Sequence, residues 1–126
     1  MNVVDSSAWL AYFADEPSAN FFAEAIDNEE LLIVPSVCLY EVFKVVLREK
    51  GEDQAFAAAS AMQRGLVVDL DSTLALEAAA LGWEERLAFA DSVILASARK
   101  YQAILWTQDA HFQGKTGVKF MAKTKA

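Results

Sequence analysis

Short apolar runs alternate along this chain with longer segments that have helical periodicity. The runs at 1–4, 31–34, 66–70 and 104–107 are too short for helices and are typical of buried strands. A further stretch, 117–121, predicts an edge strand. Pro35 is expected to stop the second strand, because proline cannot donate to a sheet ladder.

The intervening segments predict helices, at about 7–13, 17–26, 36–50, 53–64, 72–86 and 91–101. Ser6 or Ser7 can cap the first helix, Pro17 suits the first turn of the second, and Ser36 can cap the third. Gly82 is expected to weaken the fifth helix near its end, since glycine is a poor helix former.

Strands that alternate with helices indicate an α/β domain with a mostly parallel sheet of four to five strands flanked by helices in three layers. Residues 1–121 are expected to form this single domain, with 122–126 as a basic tail. Ligands of such sheets collect beyond the carboxyl ends of the strands. Asp5 and Asp109 each follow a strand directly, so the two carboxylates are expected to meet at that edge.

Composition narrows the class of protein. The chain has 126 residues, of which 55% are hydrophobic, yet no apolar run approaches the ~20 residues that a membrane-spanning helix needs. The N-terminus also lacks a basic segment followed by a long apolar one. These features predict a soluble cytoplasmic protein without a membrane segment. The single cysteine, Cys38, excludes a disulfide within the chain and a Cys-based metal site, and its apolar setting predicts a buried thiol.

A net charge of −7 argues against a generic nucleic-acid surface, which would need clustered lysine and arginine. Four of the eleven basic residues nevertheless fall in the last twelve positions, namely Lys115, Lys119, Lys123 and Lys125. Such a tail could touch a phosphate backbone, although a solvated chain end is the more common role.

Each candidate carboxylate has a structural alternative. Asp5 could cap the helix that follows, and Asp109 could form a turn. Asp91 heads the apolar stripe of its helix, which places a charge beside the sheet edge, but it too could be a cap. Glu41 lies opposite the main stripe of its helix, so a solvated contact with Lys44 is the simplest interpretation.

Four segments together carry a resemblance to a known family: Val-Val-Asp-Ser-Ser at 3–7, Tyr-Glu at 40–41, Ala-Asp-Ser-Val-Ile-Leu-Ala-Ser-Ala at 90–98 and Leu-Trp-Thr-Gln-Asp-Ala-His-Phe at 105–112. Their order and flanking residues resemble the PIN domain, particularly toxins of the VapC type. The resemblance spans almost the whole chain.

This resemblance implies a PIN-like fold and a metal-dependent endoribonuclease that cleaves RNA. The acidic pocket would consist of Asp5, Glu41, Asp91 and Asp109, with the metal on Asp5, Asp91 and Asp109. Ser6 and Thr107 match positions that usually support the pocket by hydrogen bonding. A cognate antitoxin that blocks the pocket and a homodimer formed through helices are also implied. Val37 and Val45, which lie off the main stripe of the third helix, fit such a buried helical surface.

Clustered carboxylates need a cation, because without one they repel and must take up protons or separate. Mg²⁺ or Mn²⁺ binds oxygen and keeps waters for chemistry. Ions roughly 3.5–4 Å apart could activate an attacking water and stabilise the leaving oxygen of a phosphodiester, and a single ion could do part of this.

Two other residue types invite functional roles. His111, the only histidine, could act as a general base, but a metal-activated water needs none and a surface position is the expected alternative. Trp9, Trp83 and Trp106 could stack on bases, yet their apolar settings favour core or interface positions.

Two rival functions follow from the same residues. A phosphotransfer or phosphatase domain would place Asp-x-Asp after the first strand, or an acidic pair there with a lysine after a late strand; this chain has Asp5-Ser6-Ser7 and Gln108-Asp109 instead. A catalytically silent PIN-fold module that binds protein or RNA is the alternative from a different class.

Overall fold

The structure is a computed structural model that describes residues 1–123. Its five strands are β1 (Asn2–Val4), β2 (Leu32–Pro35), β3 (Leu66–Val68), β4 (Ile104–Thr107) and β5 (Val118–Phe120). Its helices are α1 (Ser6–Phe13), α2 (Ala19–Ile26), α3 (Ser36–Lys50), α4 (Glu52–Met62), α5 (Ser72–Glu85) and α6 (Phe89–Lys100). Short 3-10 turns cover Glu29–Leu31 and Ala110–Phe112. Residues 124–126 of the predicted basic tail lie outside the described part of the chain.

All five strands are parallel and lie in the order β3-β2-β1-β4-β5. The predicted α/β class, with a central sheet flanked by helices, is therefore confirmed, and β5 is the predicted edge strand. Strand order reverses between β1 and β4, which pair with Val4 opposite Trp106. Such a reversal opens a crevice at the carboxyl ends of the two strands.

The core lies between the sheet and its helices. Val3, Val4 and Ile33 on the strands are fully buried, as are Trp9 on α1 and Phe22 on α2. Strands β1 and β2 show continuous burial rather than alternation, as expected for a parallel sheet that is covered on both faces. Within residues 1–123, no helix is long and apolar enough to cross a membrane.

Two predicted boundaries near the β2–α3 junction are wrong. The strand was predicted to stop before Pro35, but Pro35 is itself the last residue of β2 and pairs with Val68. It also precedes α3 directly, so that Ser36 is the first helical residue and not the cap. Proline fits here because its backbone is extended, with φ −61° and ψ 136°, and the strand ends at this residue.

Helix starts elsewhere also differ from the predictions. Asp5, not Ser6 or Ser7, caps α1 by accepting a hydrogen bond from the Ala8 N–H. Helix α2 begins at Ala19, so Pro17 lies in the preceding turn. Helix α6 begins at Phe89, two residues before the predicted start.

Candidate active site

Asp5 lies at the carboxyl end of β1 and is almost completely buried, with 2% of its surface exposed. Its Oδ1 accepts hydrogen bonds from the Ala8 N–H at 2.9 Å and the Ser7 hydroxyl at 2.8 Å. Its Oδ2 accepts one from the Thr107 hydroxyl at 2.6 Å. Burial raises the pKa of Asp5 to about 6, against these hydrogen bonds, which lower it. The Asp109 carboxylate also raises this pKa.

Thr107, the last residue of β4, connects Asp5 to Asp109. Its hydroxyl donates to Asp5 and accepts a hydrogen bond from the Asp109 N–H at 2.9 Å. Thr107 is fully buried, so both interactions are shielded from water. One hydroxyl group on β4 thus ties the Asp5 carboxylate to the backbone of Asp109.

Glu41 comes to the site from the first half of α3. Its Oε1 accepts a hydrogen bond from the Ser6 hydroxyl at 2.6 Å, which ties α3 to the start of α1. The alternative contact with Lys44 is not the one observed: the Lys44 ammonium lies 5.6 Å from the centre of the Tyr40 ring. Ser6 therefore supports Glu41, while Thr107 supports Asp5.

Asp91 lies in the first turn of α6, where the helix dipole favours a negative charge. Its side chain is 19% exposed, and Asp109, in the turn after β4, is 28% exposed. Partial burial and then the Asp109 carboxylate raise the pKa of Asp91, and His111 opposes the increase. Glu41 contributes a smaller increase, which places all four acids within electrostatic reach of the same pocket.

His111 lies at the site in a role that the sequence did not predict, since the sequence offered it as a general base or a surface residue. It is exposed, as predicted, yet its Nδ1 lies 3.2 Å from Asp109 Oδ1 and 3.4 Å from Asp91 Oδ2. One donor atom from each of these three residues lies within 4.8 Å of the other two. Asp5 stands outside this group of three. The only signal in the sequence was the spacing of Asp109 and His111, which a single turn brings to the same side.

The donor set fits a divalent ion. Carboxylate oxygens are the ligands that Mg²⁺ and Mn²⁺ prefer, and an imidazole nitrogen is a ligand for first-row transition metals. Within residues 1–123, Oδ2 of Asp5 accepts one hydrogen bond, so this oxygen has a second lone pair available. Burial is the main cause of the raised pKa of both Asp5 and Asp91, and it disfavours their charged forms.

The tryptophans divide between two settings. Trp9 and Trp106 are buried, and the indole N–H of Trp106 donates to Asn2 Oδ1 at 2.8 Å, which agrees with a core position. Trp83 is 88% exposed on α5 and is not a core residue. Cys38 is buried as predicted, and burial raises the pKa of its thiol well above the ordinary value.

Two of the four C-terminal lysines have local partners. Lys115 forms an ion pair with Glu85 at 3.1 Å, and the Lys119 ammonium lies 4.4 Å from the Trp106 ring centre. These two residues therefore belong to the folded domain, whereas Lys125 lies beyond residue 123.

The sequence profile of the PIN domain matches residues 3–117, which is most of the chain. The chain belongs to the PIN domain family. The resemblance seen in the sequence is thereby confirmed, and the acids at 5, 41, 91 and 109 all lie within the matched PIN domain. No curated protein sequence gives a significant match.

Solved structures share the PIN domain fold over nearly their full length. A toxin–antitoxin complex from Klebsiella pneumoniae superposes with a TM-score of 0.79 at 20% identity, covering 94% of this chain and 96% of that one. VapC20 of Mycobacterium tuberculosis is described as a toxin that cleaves the sarcin-ricin loop. It superposes with a TM-score of 0.75 at 22% identity, covering 94% of this chain and 97% of that one. VapBC2 of Rickettsia felis, bound to a promoter DNA fragment, superposes with a TM-score of 0.73 at 15% identity, covering 96% of this chain and 97% of that one. At these identities the likeness establishes the fold.

A cleft of about 520 Å³ runs beside the acidic pocket of this PIN domain. Its walls are mostly apolar and come from α1, α3 and α4, including Leu10, Phe13 and Val46. Ser7 and Gln108, the neighbours of site residues, line it as well. Val45, one of the two valines off the α3 stripe, also faces this cleft.

Proposed function

We propose that this PIN domain is a metal-dependent endoribonuclease that cleaves RNA phosphodiester bonds. The observation that carries the proposal is the convergence of four carboxylates from separate elements on the crevice between β1 and β4. We assign catalysis to Asp5, Glu41, Asp91 and Asp109. Burial first, and neighbouring carboxylates after it, raise the pKa of Asp5 and Asp91, and such perturbed carboxyl groups are typical of functional sites.

The ion would be Mg²⁺ or Mn²⁺, held by Asp5, Asp91 and Asp109. When bound, it would supply a Lewis acid for the phosphodiester and lower the pKa of a water nucleophile. The protein's part is positional: Thr107 ties the Asp5 carboxylate to the backbone of Asp109, and Ser6 fixes Glu41. The ion also neutralises the acidic pocket, which otherwise would repel the phosphates of RNA.

We further propose that the protein is the toxin of a toxin–antitoxin pair. The solved structures with this fold include a toxin–antitoxin complex and a VapC toxin, which supports the assignment. We assign the antitoxin to the apolar cleft that α1, α3 and α4 form. Because Ser7 and Gln108 line this cleft and are close in sequence to Asp5 and Asp109, a partner seated there would reach the edge of the acidic pocket.

The homodimer is assigned to the apolar face of α5 and α6. Leu76, Trp83 and Phe89 are 74%, 88% and 68% exposed, and the last two line a groove of about 410 Å³. Large exposed aromatic residues on one face are typical of protein interfaces. This face, rather than Val37 and Val45 on α3, is the one we assign to self-association.

The deciding experiment measures cleavage of single-stranded RNA by the purified protein with Mg²⁺, Mn²⁺ or EDTA. We expect cleavage with either metal and none with EDTA, and we expect Asp91→Asn to reduce the rate at least about a hundredfold, as loss of a preorganised charged group does. Asp69→Asn is the matched control, because Asp69 is an exposed acid in the loop after β3.

The alternative of a silent binding module makes a different prediction. Calorimetric titration with Mn²⁺ at millimolar concentration would then show no binding, and the RNA would stay intact in every buffer. Cleavage that Asp91→Asn leaves unchanged would instead mean that the site assignment is wrong.

A further inference from the structure

His111 occupies an unusual place for an exposed histidine. The buried Phe112 ring next to it anchors the 3-10 turn, and the His111 N–H donates to Asp109 Oδ1 at 2.9 Å. The backbone therefore holds the imidazole beside the pocket, although 73% of the side chain is exposed. Its Nδ1 faces one oxygen of Asp109 and one of Asp91.

We propose that His111 Nδ1 is a ligand of the divalent ion alongside Asp91 and Asp109, and that this nitrogen makes the site prefer Mn²⁺ to Mg²⁺. The inference rests on the proposed metal dependence and deepens it by naming the class of metal. It assigns to His111 a role different from that of a general base.

The distances between donor atoms carry the inference. Two ligands at right angles on an ion with bonds of about 2.1 Å lie about 3 Å apart. The separations of 3.2 Å and 3.4 Å from His111 Nδ1 to the two carboxylates are close to this value. Little movement is needed for all three atoms to face one ion. The exposed imidazole ring can make this movement without disturbing the core.

Glu41 does not compete for this position. Its Oε1 is engaged by the Ser6 hydroxyl, and within residues 1–123 the group of three mutually close donor atoms consists of Asp91, Asp109 and His111. Imidazole is a softer ligand than carboxylate and adds affinity for divalent first-row transition metals, to which Mn²⁺ belongs, whereas Mg²⁺ keeps oxygen ligands and water. A site with two carboxylates and this nitrogen therefore discriminates between the two ions.

A charged imidazole that bridges the carboxylates is the competing explanation for the same distances. The two explanations predict opposite effects of removing the side chain. If His111 only neutralises the acids, a metal ion must displace it, and His111→Ala would bind both ions more tightly. If His111 is a ligand, the same variant binds Mn²⁺ more weakly and changes Mg²⁺ affinity little.

The test is calorimetric titration of the whole protein with Mn²⁺ and with Mg²⁺ at pH 8, where free imidazole is neutral. His111→Ala is compared with the wild type and with Gln113→Ala, an exposed residue at the end of the same turn. We expect His111→Ala to lose about tenfold in Mn²⁺ affinity and less than about threefold in Mg²⁺ affinity. Gln113→Ala should match the wild type for both ions.

Electron spin-echo spectroscopy of bound Mn²⁺ gives a second readout that does not depend on activity. The wild type should show modulation from an imidazole nitrogen, and His111→Ala should not. Equal affinities in the two proteins, tighter binding by the variant, or no nitrogen modulation in the wild type would overturn the inference while leaving the proposed ribonuclease intact. A wild type that binds neither ion would overturn both.

Discussion

Burial governs the protonation of Asp5. Its pKa is about 6 in the folded protein and 3.8 for a free side chain, because burial penalises the charged form. Below pH 3.8 the proton is bound in both the folded and the unfolded state. Above pH 6 the charge is present in both states and is costlier in the folded one. The stability associated with protonated Asp5 is therefore lost as pH rises from about 4 to 6.

We expect Asp5→Asn to remove this pH dependence in the metal-free protein. The amide oxygen can still accept from the Ala8 N–H, so the cap of α1 is kept. The free energy of unfolding of the Asp5→Asn protein should nearly equal that of the wild type at pH 4. At pH 7.5 it should exceed the wild-type value by on the order of 2–3 kcal/mol. Urea unfolding in EDTA measures this difference.

Two observations would check the interpretation of Asp5. Addition of Mn²⁺ should stabilise the wild type more than Asp5→Asn, since the ion compensates the buried charge. A difference between the two proteins that stays constant from pH 4 to pH 8 would contradict a buried, titrating Asp5.

The position of Asp91 depends on how closely α5 approaches α6. A Cβ added to Gly82 on α5 would lie 2.8 Å from the Ser92 hydroxyl oxygen and 3.0 Å from its Cβ. Ser92 cannot easily turn away, because its hydroxyl donates to the Ala88 carbonyl at 2.7 Å. Gly82 thus weakens α5 as a helix but allows the contact that places the first turn of α6, and Asp91 with it.

Gly82→Ala should destabilise the protein although alanine is the better helix former. We expect a loss of about 1–3 kcal/mol in the free energy of unfolding, as is usual for overpacking. The second variant Gly82→Ala/Ser92→Gly restores space and should recover part of that loss. Thermal unfolding compares the variants, and a gain in stability for Gly82→Ala alone would show that the two helices can separate without cost.

The surface of the whole molecule has a net negative charge and a concentrated apolar face. The net charge of −7 repels RNA except where a bound cation compensates it. By contrast, Trp83 on α5 and Phe89 on α6 are exposed beside one groove, and Leu76 is exposed on α5 as well. Their burial by a second copy would remove a surface that is otherwise unfavourable in water.

Trp83→Glu should convert the proposed dimer into a monomer, because each copy would then present a charge to the apolar face of the other. Sedimentation equilibrium measures the effect. Leu31→Glu is the matched control, since Leu31 is 43% exposed in the turn before β2 and outside the α5–α6 face. A wild type that stays monomeric at high micromolar concentration would contradict the assignment of this face.

Several features followed from the sequence by direct physical rules. Apolar runs predicted four of the parallel strands and the stretch 117–121 predicted an edge strand, and the sheet contains all five. Because the carboxyl ends of parallel strands share one edge, the meeting of Asp5 and Asp109 could be predicted as well. Periodicity placed Asp91 on the inner side of its helix even though the predicted start of α6 was two residues late.

The tertiary structure decided the rotation of each helix about its axis, and with it the side chains that face the pocket. Glu41 lies off the apolar stripe of α3, and the hydrogen bond that engages it comes from Ser6, 35 residues away. His111 meets Asp91 only because the end of β4 lies against the start of α6. Local periodicity gives the apolar face of a helix, but its contacts with elements distant in sequence fix its rotation, and therefore which polar residues reach the site.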